Sequence, residues 1–442
     1  MRINSKVHWS FIKKQIITRN YVSENSNCNY DVAIIGGGIV GTATAREILC
    51  QNPNLKCAII EKEDELARHQ SSHNSGVIHA GIYYKPGSVK AELCTKGMDL
   101  LYKYLDNKGI PYKKVGKLIV ATDETQIKTL EGLYERGLKN NVKDLRMIDC
   151  KEITSIEPHC RGVKAIHSPH TGIVDYAVVT KHYGEDFIKL GGKIHYNFEA
   201  NSIRTFNETK DENSDVNKYP VEIASKSGKV LHAGFVLTCA GLYADKVATM
   251  SCGSAEPAII PFRGEYLLLN PEKQYLVKGN IYPVPDTRFP FLGVHFTPKL
   301  DGSVWLGPNA VLALKREGYK SSDVSFQDIW EIVRYKGFHK VASKYFQYGV
   351  KEQMKSLFLN LHVEELRKFI PELCVSDVSR GPSGVRAQAI SAEGELVEDF
   401  SFDTGSFKRV LHCRNAPSPA ATSSLAIGSE LANKVLNIMK NF

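Results

Sequence analysis

A chain of 442 residues with 43% hydrophobic composition has enough apolar material for more than one large core, which places it among multidomain globular proteins. No apolar run approaches the roughly 18 residues that a spanning helix requires, so no spanning helix is expected. The net charge of +9 is concentrated at the start: Arg2, Lys6, Lys13, Lys14 and Arg19 all precede the first acid, Glu24. Without those five cations about +4 remains, an ordinary surface charge that gives no reason to expect a nucleic-acid partner.

In chain order, residues 1–29 read as a mitochondrial presequence. They are basic and acid-poor, with Trp9, Phe11, Ile12, Ile16 and Ile17 interspersed and no continuous apolar block of the secretory kind. A basic tail without structure has the same composition. Next, Val32 to Ile35 is a charge-free apolar run of the kind found in buried parallel strands. It runs directly into Gly36-x-Gly38-x-x-Gly41, and 42–49 continues as a helix. The first glycine allows the tight turn, the second lets backbone approach a pyrophosphate, and the third lets helix pack on strand. A second strand at 56–60 ends in Glu61, 20 residues after Gly41, where an acid can accept adenosine ribose hydroxyls. A glycine turn alone is weak. Strand, turn, helix, strand and acid in this order predict a dinucleotide site.

The stretch 69–76 contains Ser71, Ser72, His73, Asn74, Ser75 and Gly76 and is too polar for a core strand. It suits a segment lying along an extended cofactor, with hydroxyls and backbone N–H groups offered to it. Beyond it the pattern predicts helices at 89–105, 123–139 and 176–190 and an extended piece at 111–120. A short strand is expected at 193–196 and a polar loop at 207–219. A strand at 229–238 enters Cys239-Ala240-Gly241, where small residues permit close approach to a cofactor or simply a strand-to-helix turn. Strands of a second, antiparallel sheet are expected at 259–269 and within 291–306. The stretch 326–369 is mostly helical and basic, read as a solvated face with membrane-surface docking as the alternative. A strand at 409–413 precedes a helix at 418–439 that returns to the nucleotide domain. The ten cysteines include no Cys-x-x-Cys and no metal-ligand spacing, so neither a metal site nor a disulfide framework is expected.

The fingerprint together with Glu61 and Ser71-Ser-His-Asn-Ser-Gly76 resembles the D-amino-acid-oxidase-type superfamily of FAD enzymes. Within it, His73-Asn-Ser-Gly-Val-Ile-His79-Ala-Gly81, Pro261-Phe-Arg263-Gly-Glu-Tyr266 and Asn415-Ala-Pro-Ser418-Pro-Ala-Ala-Thr422 resemble the L-2-hydroxyglutarate dehydrogenase family. So do the segments 169–176, 279–286, 291–297, 307–309 and 384–388, all in unbroken order. The one departure lies at 402–409, where the connection before the last strand looks shortened. The resemblance implies an α/β fold: a doubly wound, glutathione-reductase-like FAD-binding domain and a discontinuous α+β substrate domain with an antiparallel sheet. We expect 30–110, 172–245 and 383–442 in the first and 111–171 and 246–382 in the second. It also implies FAD as cofactor and a 2-hydroxy dicarboxylate as substrate. Electrons would pass to an acceptor such as a quinone or an electron-transfer flavoprotein, in the mitochondrial matrix or on the inner membrane. Competing readings are an FAD enzyme acting on an amino acid or amine, and a flavin-binding sensor without turnover.

Moving hydride from a hydroxyl-bearing carbon needs a base for the hydroxyl proton, and neutral His is suited to it. His79 and His295 lie in Gly-containing stretches expected beside the flavin; either could instead be a structural hydrogen-bonder. Carboxylates call for the bidentate fork of Arg. Arg263 and Arg386 sit among apolar and small neighbours, positions that an anionic substrate or an internal acid such as Glu265 would justify. Tyr83, Tyr266 and Asn309 are further substrate-site candidates, Tyr83 and Tyr266 as donors or as packing. Ser418 and Thr422 stand near the start of the last helix, whose N-terminus can stabilise charge on a flavin or be an ordinary cap.

Overall fold

The computed structural model describes residues 28–206, 215–286 and 292–442. The expected presequence lies outside these residues except at its end, where Cys28 and Asn29 already belong to the first strand. Of the polar loop expected at 207–219, residues 207–214 lie outside as well; 215–218 form one helical turn.

The first strand, Cys28–Ile35, is the centre of an eight-stranded sheet. It pairs in parallel with Cys57–Ile60 on one side and with Val230–Thr238 on the other. Lys193–His195 and Val410–Asn415 extend the parallel array outward. Its side chains alternate between two cores. Val32 and Ile34 pack with Ile48, Leu431 and Val435 beneath the helices Ile39–Gln51 and Ser424–Met439, whereas Ala33 and Ile35 meet Ile203, Ile223 and Val247 on the opposite face. The two helices approach through Gly428, where a Cβ would lie 3.0 Å from the Ala43 carbonyl. The last helix begins at Ser424, six residues later than the sequence pattern suggests, because Ser418 to Ser423 form a turn instead.

A second sheet of nine strands carries Lys117–Ala121, Asn280–Pro283, His295–Pro298, Val304–Gly307 and the long pair Ala258–Leu269 and Val378–Ile390. It is antiparallel with one exception. Asn280–Pro283 runs parallel to Lys117–Ala121, so the wholly antiparallel sheet expected from sequence needs correcting. The strand Val378–Ile390 pairs with Ala258–Leu269 along its length, so the return to the first sheet comes after Ile390 and not at residue 383. That boundary was hidden because the strand keeps one pattern throughout.

A buried ion pair ties the two sheets together. Asp245, in the turn of helix after Val230–Thr238, takes both terminal nitrogens of Arg316 at 2.8 and 2.9 Å and the Ile259 N–H at 3.1 Å. Arg316 also donates to the Leu242 carbonyl at 2.7 Å. Removing one partner of such a pair strands a charge. Arg316→Met should cost about 3–5 kcal/mol, read as a lower urea midpoint in a circular-dichroism titration.

Candidate functional site

At the carboxyl ends of Cys28–Ile35, Cys57–Ile60 and Val230–Thr238 lies a cavity of about 690 Å³. Its floor is the glycine turn. Gly36 has φ +117°, and a Cβ there would sit 2.3 Å from the Cys239 carbonyl oxygen; one on Gly41 would sit 2.1 Å from the Gly36 carbonyl oxygen. Gly41 therefore acts by packing and does not line the cavity, whereas Gly36 and Gly38 do. Gly38 precedes Ile39–Gln51 and has no side chain to cap it; Ser71 takes the Ile39 N–H, and the N–H groups after it in the first turn stay available at the cavity. Glu61 is buried at the cavity wall and accepts the Gly37 and Glu63 N–H groups at 2.7 and 2.9 Å. These bonds orient its carboxylate.

The polar segment divides. Ser71, Asn74 and Ser75 line the cavity, and Ser71 accepts the Ile39 N–H at 2.9 Å. Gly76, at φ +75°, packs against the Val174 carbonyl and receives the Asn74 side-chain oxygen on its N–H at 2.9 Å. Ser72 is exposed and donates to the His69 carbonyl within its own turn. His73 stacks on Tyr319 with centroids 4.1 Å apart. Neither Ser72 nor His73 faces the cavity, which corrects the expectation that the whole run touches the cofactor. Ala240, Gly241, Ser418 and Thr422 all line it. Thr422 is also a structural junction: its hydroxyl accepts the His79 N–H at 3.1 Å and bonds Tyr176 Oη at 2.8 Å. At the rim, Glu63, His69 and Glu317 could together hold a cation, but Lys62 already reaches both carboxylates.

The second sheet and the loop after Val77–Ile78 supply the remaining candidates. His79 lines the cavity, and its Nδ1 is buried with no hydrogen-bond partner among the described residues. Burial, then the positive charge of Lys117 and the neighbouring His295, hold its pKa well below the usual imidazole value. His295 stacks on Tyr282 at 4.0 Å, and its Nδ1 meets the Gly293 carbonyl at 3.1 Å. A carbonyl only accepts, so Nδ1 carries the proton and Nε2 keeps its lone pair. Burial, with Lys117 and Arg386 nearby, pushes His295 down to about 3. Tyr266 is buried on Trp305 within the field of Arg386, and burial raises its phenol to about 12. Tyr83 Oη is buried and unpartnered among the described residues.

Arg263 is a correction. It grips Glu265 through Nε and Nη2 at 3.0 and 2.8 Å, so the internal acid, not a substrate, accounts for its burial. Asn309 is tied to the same residue, donating to Glu265 Oε2 at 3.0 Å and accepting the Glu265 N–H at 2.8 Å. Arg386 donates to the Asn309 carbonyl at 3.3 Å, so this chain of contacts orients it. Sequence reasoning missed Lys117, Tyr282 and Lys299. Lys117 is buried at the head of the all-buried strand Lys117–Ala121, and Lys299 donates to the Ser75 carbonyl at 2.9 Å beside the cavity. A lysine abutting three aliphatic residues was the available signal for the first.

The family model described as FAD dependent oxidoreductase matches residues 31–434. The human protein named mitochondrial L-2-hydroxyglutarate dehydrogenase is 54% identical over 413 residues, covering 93% of this chain and 89% of its own. Its namesakes in Caenorhabditis elegans and Dictyostelium discoideum are 54% and 46% identical, each across 93% of this chain and 94% of their own. The chain belongs to the L-2-hydroxyglutarate dehydrogenase family of FAD-dependent oxidoreductases. Among solved structures, the L-alpha-glycerophosphate oxidase of Mycoplasma pneumoniae with FAD bound superposes with a TM-score of 0.72 at 22% identity, covering 93% of this chain and 95% of that one. Glycine oxidase from Bacillus cereus gives 0.65 at 18%, covering 92% and 95%, so both share the fold. The residues of the cavity suit the FAD of this family. The uncapped helix start and Gly38 suit a pyrophosphate, Glu61 suits ribose hydroxyls, and the cavity runs on past Ser71 and Ser75 to His79. Gly41→Val would drive a side chain into the Gly36 carbonyl. The purified variant should carry no flavin, read as the ratio of visible to protein absorbance, while retaining its far-ultraviolet dichroism.

Proposed function

We propose that this chain oxidises L-2-hydroxyglutarate to 2-oxoglutarate in mitochondria, with FAD as cofactor. Bound FAD supplies the acceptor for the hydride leaving the α-carbon. The observation that carries the reading is His295, a buried neutral imidazole with its Nδ1–H committed to Gly293 and its Nε2 left to accept. His295 takes the hydroxyl proton as the α-carbon is oxidised, and its neighbour His79 lines the cavity. Arg386, held by Asn309, binds a carboxylate of the substrate. The negative charge the substrate brings offsets the positive field around His295 and raises its proton affinity when it is needed. The mitochondrial setting is supported by the names of the relatives and by the basic, acid-poor residues 1–22.

The helices Phe326–Arg334 and Phe346–Leu357 give this reading a membrane side. Phe326, Trp330 and Val333 recur at helical spacing and are exposed, Phe326 by 87%; Phe346, Val350, Met354 and Leu357 repeat the pattern. Between them Lys336, Lys340 and Lys344 share a spacing of four on an exposed stretch. Exposed aromatics interleaved with lysines suit an anionic bilayer surface. Docking there brings the enzyme to an acceptor dissolved in the inner membrane, such as a quinone. No helix among the described residues is long and apolar enough to cross a membrane.

Anaerobic addition of L-2-hydroxyglutarate should bleach the flavin band, while the D-enantiomer, L-lactate and amino acids leave it in place; bleaching by an amino acid instead would overturn the assignment. His295→Gln should lower kcat by about 10²–10⁴-fold with flavin content unchanged. Because burial depresses both histidines, they stay neutral as the pH falls through the usual imidazole range. The wild-type kcat/KM should therefore show no acid limb between about pH 7 and pH 5. Replacing Phe326, Trp330 and Phe346 by Ser should abolish co-flotation with cardiolipin-containing vesicles and preserve turnover with a soluble dye acceptor.

A further inference from the structure

Among the described residues Lys117 is a buried amine with no acidic partner. It opens the strand Lys117–Ala121, its backbone register fixed by Asn280 on one side and Ser168 on the other. The side chain is only 2% exposed. Its Nζ lies 4.1 Å from the ring centroid of Tyr282 and 5.7 Å from that of Tyr83, and among the described residues no carboxylate bears on its charge state. Buried ammonium groups are ordinarily paired with an anion, since the charge is otherwise costly to desolvate. Aromatic faces offset part of that cost and leave the donor valences unused.

The surroundings are unfinished in the same way. His79 Nδ1 and Tyr83 Oη are buried polar atoms with no hydrogen-bond partner among the described residues, which is rare unless a ligand or water completes them. Tyr83 faces Lys117, and His79 feels its charge directly. His295 lies in the fields of two separate cations, Lys117 and Arg386. One base within reach of two cations is what a substrate with an anionic group at each end requires. A single carboxylate would use only one of them.

We propose that Lys117 receives the second, side-chain carboxylate of the substrate, and that it thereby sets the preference for a 2-hydroxy dicarboxylate over 2-hydroxy monocarboxylic acids. This rests on the oxidation proposed above, with Arg386 holding the other carboxylate. Tyr83 and His79 complete the subsite as hydrogen-bond donors to the same group or to the water beside it. Burial also keeps the Lys117 pKa near 7, so the free enzyme loses this charge at mildly alkaline pH, and a bound carboxylate restores it. The titratable and charged groups facing it are His79 and Tyr83 from the loop after Val77–Ile78, Cys94 from Val89–Lys108, and Tyr282 and His295 from the neighbouring strands, with Arg386 and Lys90 at longer range.

The test uses FAD-loaded wild type, Lys117→Met and Lys117→Arg with two substrates. These are L-2-hydroxyglutarate and L-2-hydroxyvalerate, in which a methyl group replaces the distal carboxylate. Lys117→Met should lose about 100-fold in kcat/KM for the dicarboxylate, mainly through KM, and should change kcat/KM for the monocarboxylate far less. Lys117→Arg should recover most of the dicarboxylate activity. An equal loss with both substrates, or no loss with either, overturns the proposal. Wild type that fails to oxidise L-2-hydroxyglutarate at all defeats the underlying function instead. Should Lys117→Met not fold, wild type alone still decides. Glutarate, a dead-end dicarboxylate read by its perturbation of the flavin spectrum, should bind progressively more weakly above about pH 7, and equally at all pH values to Lys117→Arg. A glutarate affinity in wild type that does not fall with pH overturns the proposal.

Discussion

Everything in this protein depends on how closely two pieces of backbone approach at the end of the first strand. The turn at Gly36 lies against the Cys239 carbonyl, and Gly41 lies against Gly36, with no room for even one carbon atom at either position. That contact brings the strand Val230–Thr238 alongside Cys28–Ile35 and leaves the start of Ile39–Gln51 uncapped. The free N–H groups, the wall at Ala240 and the position of Glu61 all follow from it. A larger residue there would displace the strand as well as block a phosphate.

The second organising principle is charge placed where water is scarce. Arg263 is neutralised at once by Glu265, and Arg316 by Asp245. These pairs are settled, and they hold strands and turns in register. His79, His295 and Lys117 are different: burial pushes each toward its neutral form, and among the described residues no acid compensates. Among the described residues Lys117 and the imidazoles beside it are left without an acid, and an anion is the ligand that such a place suits.

The nucleotide half was legible in the sequence because its signals are local. Glycine spacing, a charge-free strand and an acid at a set distance fall within 31 residues, and the helix and strands appear where the pattern puts them. The substrate half was harder, since its contacts join residues distant in sequence. Nothing in the motif around Arg263 says whether Glu265, two residues on, turns back toward it; that is decided by Asn309, which fixes Glu265 across the sheet. His73 looked like part of the cofactor wall because the stretch is uniformly polar, but a tight turn at 69–73 rotates it onto Tyr319. Lys117 went unremarked because charge at the start of a strand is usually solvated, and only the strands bearing Tyr282 and His295 enclose it.

The first sheet is completed by segments far from its central strand in sequence. Its strand Val410–Asn415 and the helix Ser424–Met439, which covers one face of Cys28–Ile35, come long after that strand. A growing chain therefore carries its central strand with one face uncovered until these two segments have been made, a long-range closure of the kind that folds slowly. Until Val410–Asn415 and Ser424–Met439 are available, the core on that face of the first sheet stays open.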